Sequence, residues 1–361
     1  MSKNEITHNQ YMYIIFSSML GVGVLSLASN LCKYGKQTGW LTIIIAFLYP
    51  TAIICFSSYI HKKTKTNFYT MCSNIYGKFL TVVFALIFFL FILTIYVGVL
   101  SGFTNVLKIT IADAISPFLI ILPALILTSF VAMNGVYMIA RICEFYFFVT
   151  IPLLFIPLFI LPKGTMLNIM PLKMSIEQMI KTIPESLYAF TGCEISYFII
   201  NKVSNKEKSF RSGIIAVLSI TFVYLFTTFV ATYYFGWQVA SKLEYPLLYM
   251  MRDVNLPIVS NFLAIVIFLW SAIILRILVV HSYICTSIIT KVTKLKQNYA
   301  SWCFSIIAFV CILFFIPEFN RKTMLDTVIP YFVLFSLVWG SITAIIVKIK
   351  YRGNKELKEK P

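Results

Sequence analysis

Long stretches of this chain carry no charge at all. From Asn9 to Cys32, from Gln37 to Ile60 and from Phe79 to Leu107, apolar residues run on without a single Asp, Glu, Lys or Arg. Further runs cover Ser116–Met133, Phe145–Pro162, Ser212–Ser241, Val254–Leu275, Gln297–Pro317 and Thr327–Val347. A bilayer span needs roughly 20 apolar residues. With the segment Ile183–Ile200 added, the pattern predicts ten membrane-spanning helices and an all-α polytopic protein. Its longest polar segments are Pro162–Thr182, Trp237–Pro257 and the end Lys348–Pro361. Within the second, SKLEYPLLYMMRDVNLP reads as a short helix or cap outside the membrane. The whole of residues 1–361 is expected to form one transmembrane domain, with 351–361 as a basic cytoplasmic tail.

Ten spans divide into five and five, and an odd number per half turns the second half upside down relative to the first. Repeat one would cover about 9–162 and repeat two about 180–350. Internal identity between the halves is weak, but an interruption recurs. The first span contains LGVGVLSL and the sixth contains FTGCEI. Glycine loosens a helix interior, and helices broken at matching places in two halves point to a binding site near the midplane. The competing account is that Gly21 and Gly23 only permit close helix packing; their correspondence with the Glu194 segment favours the site. An unwound turn offers backbone N–H groups to a carboxylate and carbonyls to an ammonium or a cation. Gly21, Val22, Gly23 and Val24, facing Phe190, Thr191, Gly192 and Cys193, could therefore hold a zwitterion such as a free amino acid at both ends.

Two charges stand inside predicted spans, Glu194 and Arg276. Intramembrane charges usually face the bundle interior and find partners. Glu194 thus has three readings: an ion pair with Arg276, a group that binds or releases a proton or cation, or a carboxylate in a watered vestibule. His281 follows Arg276 by five residues, off its helical face, and reads first as an interfacial group. Thr94, Tyr96 and Ser101 bring polar atoms into the third span; Tyr96 is the candidate wall of the site.

Composition narrows the class. The chain is 60% hydrophobic and 12% charged with mean hydropathy +0.88. A net charge of +17 could suggest nucleic acid, but its distribution argues for topology. With the N-terminus inside and alternating spans, 19 Lys and Arg fall on the inner side and 10 on the outer. Inner loops carry the excess in membrane proteins, so both termini are expected in the cytoplasm, with anionic lipid headgroups as neighbours of the basic loops. The first apolar stretch is too long, and its flank too nearly neutral, for a cleaved signal. The eight cysteines are scattered without paired spacing and read as small apolar residues. No metal site, cofactor motif or enzyme signature emerges; GVG is too short for a dinucleotide fingerprint and opens no βα unit.

Three stretches carry a resemblance: NEITHNQYMYIIFSSMLGVGVLSLAS at the N-terminus, NIMPLKMSIEQMIKTIPESLYAFTGCEI, and YPLLYMMRDVNL before the eighth span. Together they resemble spore germination permeases, the B subunits of nutrient germinant receptors, within the amino acid–polyamine–organocation superfamily. The resemblance covers nearly the full length. It implies two inverted five-helix repeats and a multi-pass location in the spore inner membrane. It also implies a small nutrient ligand, such as an amino acid, bound at Gly21–Val24 and Thr191–Glu194. The implied partners are an A subunit and a lipoprotein C subunit. Alternatives are a proton- or sodium-coupled amino acid transporter and a ligand-gated pore. One departure is Ala28, where the family commonly has proline, which leaves the kink of the outer half of the first span in question.

Overall fold

The structure is a computed structural model and describes residues 5–110, 114–254 and 262–351. Its elements are helical, in the order α1 His8–Met19, α2 Gly23–Gly35, α3 Thr42–Ala46, α4 Leu48–Thr64, α5 Phe68–Thr110, α6 Phe118–Met133 and α7 Gly135–Phe155. Next come α8 Ile176–Ala189, α9 Ser196–Ile199, α10 Lys206–Phe235, α11 Trp237–Ala240, α12 Pro246–Arg252, α13 Phe262–Thr293, α14 Gln297–Phe315 and α15 Glu318–Lys350. Seven helical stretches among the described residues are long and apolar enough to cross a membrane, and α6 is a shorter apolar helix. The outward faces suit lipid: Phe79, Leu119, Phe222, Phe268, Ile306 and Phe314 all stand exposed. So much exposed apolar surface on a soluble protein would drive association.

Helix starts and breaks have local chemical causes. Thr7 accepts from the Gln10 N–H while the Gln10 side chain accepts from the Thr7 N–H, a capping box that starts α1. Ser175 and Gln178 repeat the device at the start of α8. Both capped helices then end after 12 and 14 residues respectively, in the glycine-bearing stretches singled out in the sequence. The chain leaves α1 at Leu20 in an extended conformation and resumes as α2 at Gly23. It leaves α8 at Phe190 and turns through Gly192, whose φ of +108° is open to glycine at little cost. From Gly23 the helix continues through Ala28 to Gly35 without interruption; alanine, with an N–H to donate and no ring, leaves the ladder intact.

The two interrupted segments lie antiparallel. Ile6, just ahead of α1, exchanges backbone hydrogen bonds with Lys202 and Ser204, just past α9. At the other end, Gly35 closing α2 lies against Met174, just ahead of α8, and Thr182 in its middle. Long helices enclose this pair. α13 packs on α1, α5, α6, α7 and α14, while α10 packs on α1, α2 and α4. The segment expected to form a short helix or cap contains the helix α12, and its residues 255–257 lie outside the described residues. α12 buries Pro246, Leu247, Leu248, Met250 and Met251 and packs on α2, and the Ser29 hydroxyl donates to the Ser241 carbonyl at 3.3 Å. Of the expected tail, only Tyr351 lies within the described residues.

Candidate functional site

Each break strands backbone polar groups that an unbroken helix would pair. The N–H groups of Gly21, Val22 and Gly23 at the start of α2 have no acceptor among the described residues. The carbonyls of Ser18, Phe190 and Thr191 likewise have no donor there. All six positions are buried or nearly so, and in a membrane interior such groups are costly unless something occupies them. Donors at a helix N-terminus attract anions, and a cluster of carbonyls attracts cations.

The two breaks meet. A Cβ added to Gly192 would run into the Ser18 carbonyl and stand 3.4 Å from His281 Nε2, so glycine here permits both a positive φ and backbone contact with α1. Tyr224 of α10 joins the same two turns. Its hydroxyl donates toward the Met19 carbonyl at 2.7 Å and the Ala189 carbonyl at 2.8 Å, one proton shared by the last residues of both half-helices. On the other side of the first break, a Cβ on Gly21 would meet Ile277 at 3.1 Å and Val99 at 3.4 Å. A Cβ on Gly23 would have only the Tyr188 ring, 3.8 Å away. Val22, Val24, Phe190, Thr191 and Cys193 are buried in this junction.

Glu194 answers to its own turn. Its carboxylate accepts the Gly192 N–H at 2.8 Å and faces the Cys193 thiol at 3.5 Å, and the residue is buried. The ion pair with Arg276 is not formed: among the described residues no salt bridge joins them. Arg276 instead gives one N–H to Thr150 Oγ1 at 3.3 Å and lies over the Phe16 ring, its Nε and Nη2 without partners. The physical reason is reach. The turn at Gly192 satisfies the carboxylate locally, and Arg276 points to α7 and α1 instead.

Tyr96 is a second correction. Its hydroxyl bonds Thr128 Oγ1 at 2.8 Å and its ring packs edge-on against Phe304, so it holds α5 to α6 and α14. The α5 residue beside the break is Val99. His281, by contrast, is a site neighbour that sequence reasoning set aside. Its Nδ1 faces the Ile277 carbonyl at 2.8 Å, and its buried Nε2 is unpartnered beside Gly192.

A cavity of about 200 Å3 opens between α8 and α15, lined by Glu185, Tyr188, Asp326 and Leu325 among others. Tyr188 lines this cavity and also faces Gly23, so its ring separates the vestibule from the break. Nearby, Arg321 holds Glu318 through Nε at 2.8 Å and through Nη2, a bidentate pair. Glu318 also accepts from Asn105 at 2.7 Å and Tyr245 at 3.5 Å, and Lys322 bonds Glu244 at 2.9 Å. Burial raises the Tyr245 phenol above its ordinary range, keeping it a neutral donor. The cap α12 is thus tied to α5 and α15 directly over Val22, whose Cγ1 lies with Arg321 about the Cα of Gly102. Neither this cluster nor Glu185 was foreseen, because each needs partners distant in sequence.

Comparison with known proteins gives the family and the fold. Residues 5–323 match the family described as Spore_permease, spore germination protein. Spore germination protein B2 of Bacillus subtilis (strain 168) is 19% identical over 267 residues, 71% of this chain and 70% of that one. Spore germination protein GerQB of Bacillus cereus is 20% identical over 325 residues, 90% of each chain. Among solved structures, MhsT in complex with L-phenylalanine superposes with a TM-score of 0.67 at 11% identity, covering 96% of this chain and 89% of that one. The fold is therefore shared with MhsT.

Proposed function

The chain belongs to the spore germination permease family, and we propose that it is the membrane subunit of a nutrient germinant receptor that binds a free amino acid between its two helix breaks. The observation that carries this reading is the meeting of two antiparallel broken helices whose unpaired N–H groups (Gly21–Gly23) and unpaired carbonyls (Ser18, Phe190, Thr191) share one buried junction. The carboxylate would lie on the N–H groups and the ammonium on the carbonyls, with His281 close by to sense the side chain. That a protein of the same fold, MhsT, was solved with L-phenylalanine supports an amino acid as the ligand class.

The architecture in this reading is ten spans in two inverted repeats, about 9–162 and 180–350, broken near the bilayer midplane. The antiparallel course of α1–α2 and α8–α9 and the repeated capping box support it. The excess of positive charge on the inner loops supports cytoplasmic termini. Membership of the family supports the spore inner membrane as the location, with A and C subunits as partners. The subunit performs no covalent chemistry. Its junction is closed in this structure, with Tyr188 and the cap above it, so ligand entry requires a second packing of the broken helices. A ligand that prefers one packing shifts the population toward it, and the partners read that state.

A second reading, coupled transport or ion conduction, rests on Glu194, a buried carboxylate at the break and the kind of group that marks ion routes. Dipicolinate release from spores with and without this gene separates the two, run against a panel of amino acids and sugars with related receptors removed. Selective loss of response to one nutrient is the expected result. An unchanged response, together with uptake of labelled amino acid by proteoliposomes containing this chain alone, would replace the receptor with a transporter.

A further inference from the structure

Where α4 ends and α10 begins, a cavity of about 760 Å3 opens at the level of the polar loops. Lys62, Lys65 and Lys206 line it, with Glu207 the single acidic group. Among the described residues none of the three lysine ammonium groups is in an ion pair, and Lys65 and Lys206 make hydrogen bonds through their backbone alone. Lysines at helix ends are ordinarily solvated topology signals, and three of them alone would mean no more than that. The wall behind them is different. His61 also lines the cavity and is only 5% exposed. Its Nδ1 faces the Thr66 carbonyl at 3.3 Å, and its Nε2 has no partner. Ser58, one turn earlier on the same wall, has an unpartnered buried hydroxyl. Two buried polar atoms without partners behind three unpaired cations form a concave, polar, positively charged pocket. The far wall, Cys55, Tyr59 and Phe210, is apolar, and Phe210 is exposed.

We infer that this pocket binds the phosphate headgroup of an anionic phospholipid. Lysine ammoniums would surround the phosphate oxygens, with the Ser58 hydroxyl donating from behind; because Nδ1–H of His61 serves the Thr66 carbonyl, its Nε2 would donate to the phosphate only as the imidazolium. The apolar wall would receive the start of the acyl chains. Basic pockets between membrane helices are recognised docking places for anionic headgroups. Two features favour a lipid over a free phosphate. The pocket lies at the ends of membrane-crossing helices, and one wall is apolar, which an inorganic ion could not use. Since α4 packs on α10 and α15, a headgroup here would brace α10, the helix whose Tyr224 spans both breaks.

The test uses the full chain purified in detergent, with native mass spectrometry counting bound lipid. The probes are phosphatidylglycerol, phosphatidylcholine of the same acyl chains, and inorganic phosphate as competitor. The wild type should retain phosphatidylglycerol preferentially. The Lys62→Gln/Lys65→Gln/Lys206→Gln protein should lose that preference, with about fivefold lost per lysine. All three side chains are exposed, so folding should be unaffected. A control with Lys291→Gln/Lys294→Gln/Lys296→Gln removes equal charge elsewhere and should keep the preference. Equal retention of the two lipids, retention unaltered by the first triple variant, or equal loss in the control would each overturn the site. Displacement of the lipid by millimolar phosphate would make it a free-phosphate site and overturn the lipid assignment.

Discussion

At the scale of single residues, Tyr224 shows how much of the junction hangs on one hydroxyl. It donates toward the last carbonyls of both half-helices, Met19 and Ala189. Removing it leaves buried acceptors unsatisfied, which costs about 1–3 kcal/mol. Tyr224→Phe should therefore lower the thermal midpoint in detergent and weaken ligand binding together, and unchanged midpoints would mean water replaces the hydroxyl. Arg276 leads to the opposite expectation. A fully buried guanidinium with one 3.3 Å hydrogen bond and no counter-anion among the described residues has little to offset its desolvation, and replacing such charges with apolar groups is often neutral or stabilising. Arg276→Met should melt no lower than wild type; a marked drop would reveal a partner for the charge. Both residues mark what a sequence leaves unread. Arg276 was visible as an intramembrane charge, but its neighbours Thr150 and Phe16 were not, and the pairing with Glu194 failed because a nearby backbone N–H serves that carboxylate better. Tyr224 was one tyrosine among 21.

Helices and caps were more legible, because their signals are local. Charge-free runs of about bilayer length gave the apolar helices, and the glycines at 21, 23 and 192 gave both breaks. The cap at Pro246–Arg252 was readable from a proline followed by helix formers. Register was not: choosing Tyr96 over Val99 as the wall of the site required knowing which face of α5 turns inward, and a nearly all-apolar helix hides its faces. The tie between cap and bundle was equally hidden, since Glu318, Arg321, Asn105 and Tyr245 come from three separate elements. That tie carries its own expectation. Glu318→Gln leaves the buried Arg321 uncompensated, a loss of roughly 3 kcal/mol in the manner of broken buried pairs. Backbone amides in residues 237–252 should then exchange with deuterium faster than in wild type, while those of α13 stay protected. Equal exchange would show that apolar packing of α12 alone holds the cap.

For the whole molecule, the geometry describes a closed state. The junction of the two breaks is buried, Tyr188 stands between it and the vestibule, and the cap is tied down above. A receptor and a transporter can share this state; they differ in the step after ligand binding. In both proposals the site would read a free amino acid by both of its charged ends, with the N–H groups of Gly21–Gly23 at one pole and the carbonyls of Ser18, Phe190 and Thr191 at the other. Glycine at 192 is central to that arrangement, because alanine would have to adopt a positive φ at about 1–2 kcal/mol and would strike the Ser18 carbonyl. The most direct measurement is equilibrium binding of labelled amino acids to the purified chain in lipid nanodiscs, wild type against Gly192→Ala. Saturable binding of at least one free amino acid is predicted, lost in the variant and lost when either the amine is acetylated or the carboxylate is amidated. Binding that survives in Gly192→Ala, or that tolerates a blocked end, would contradict a zwitterion site at the two breaks.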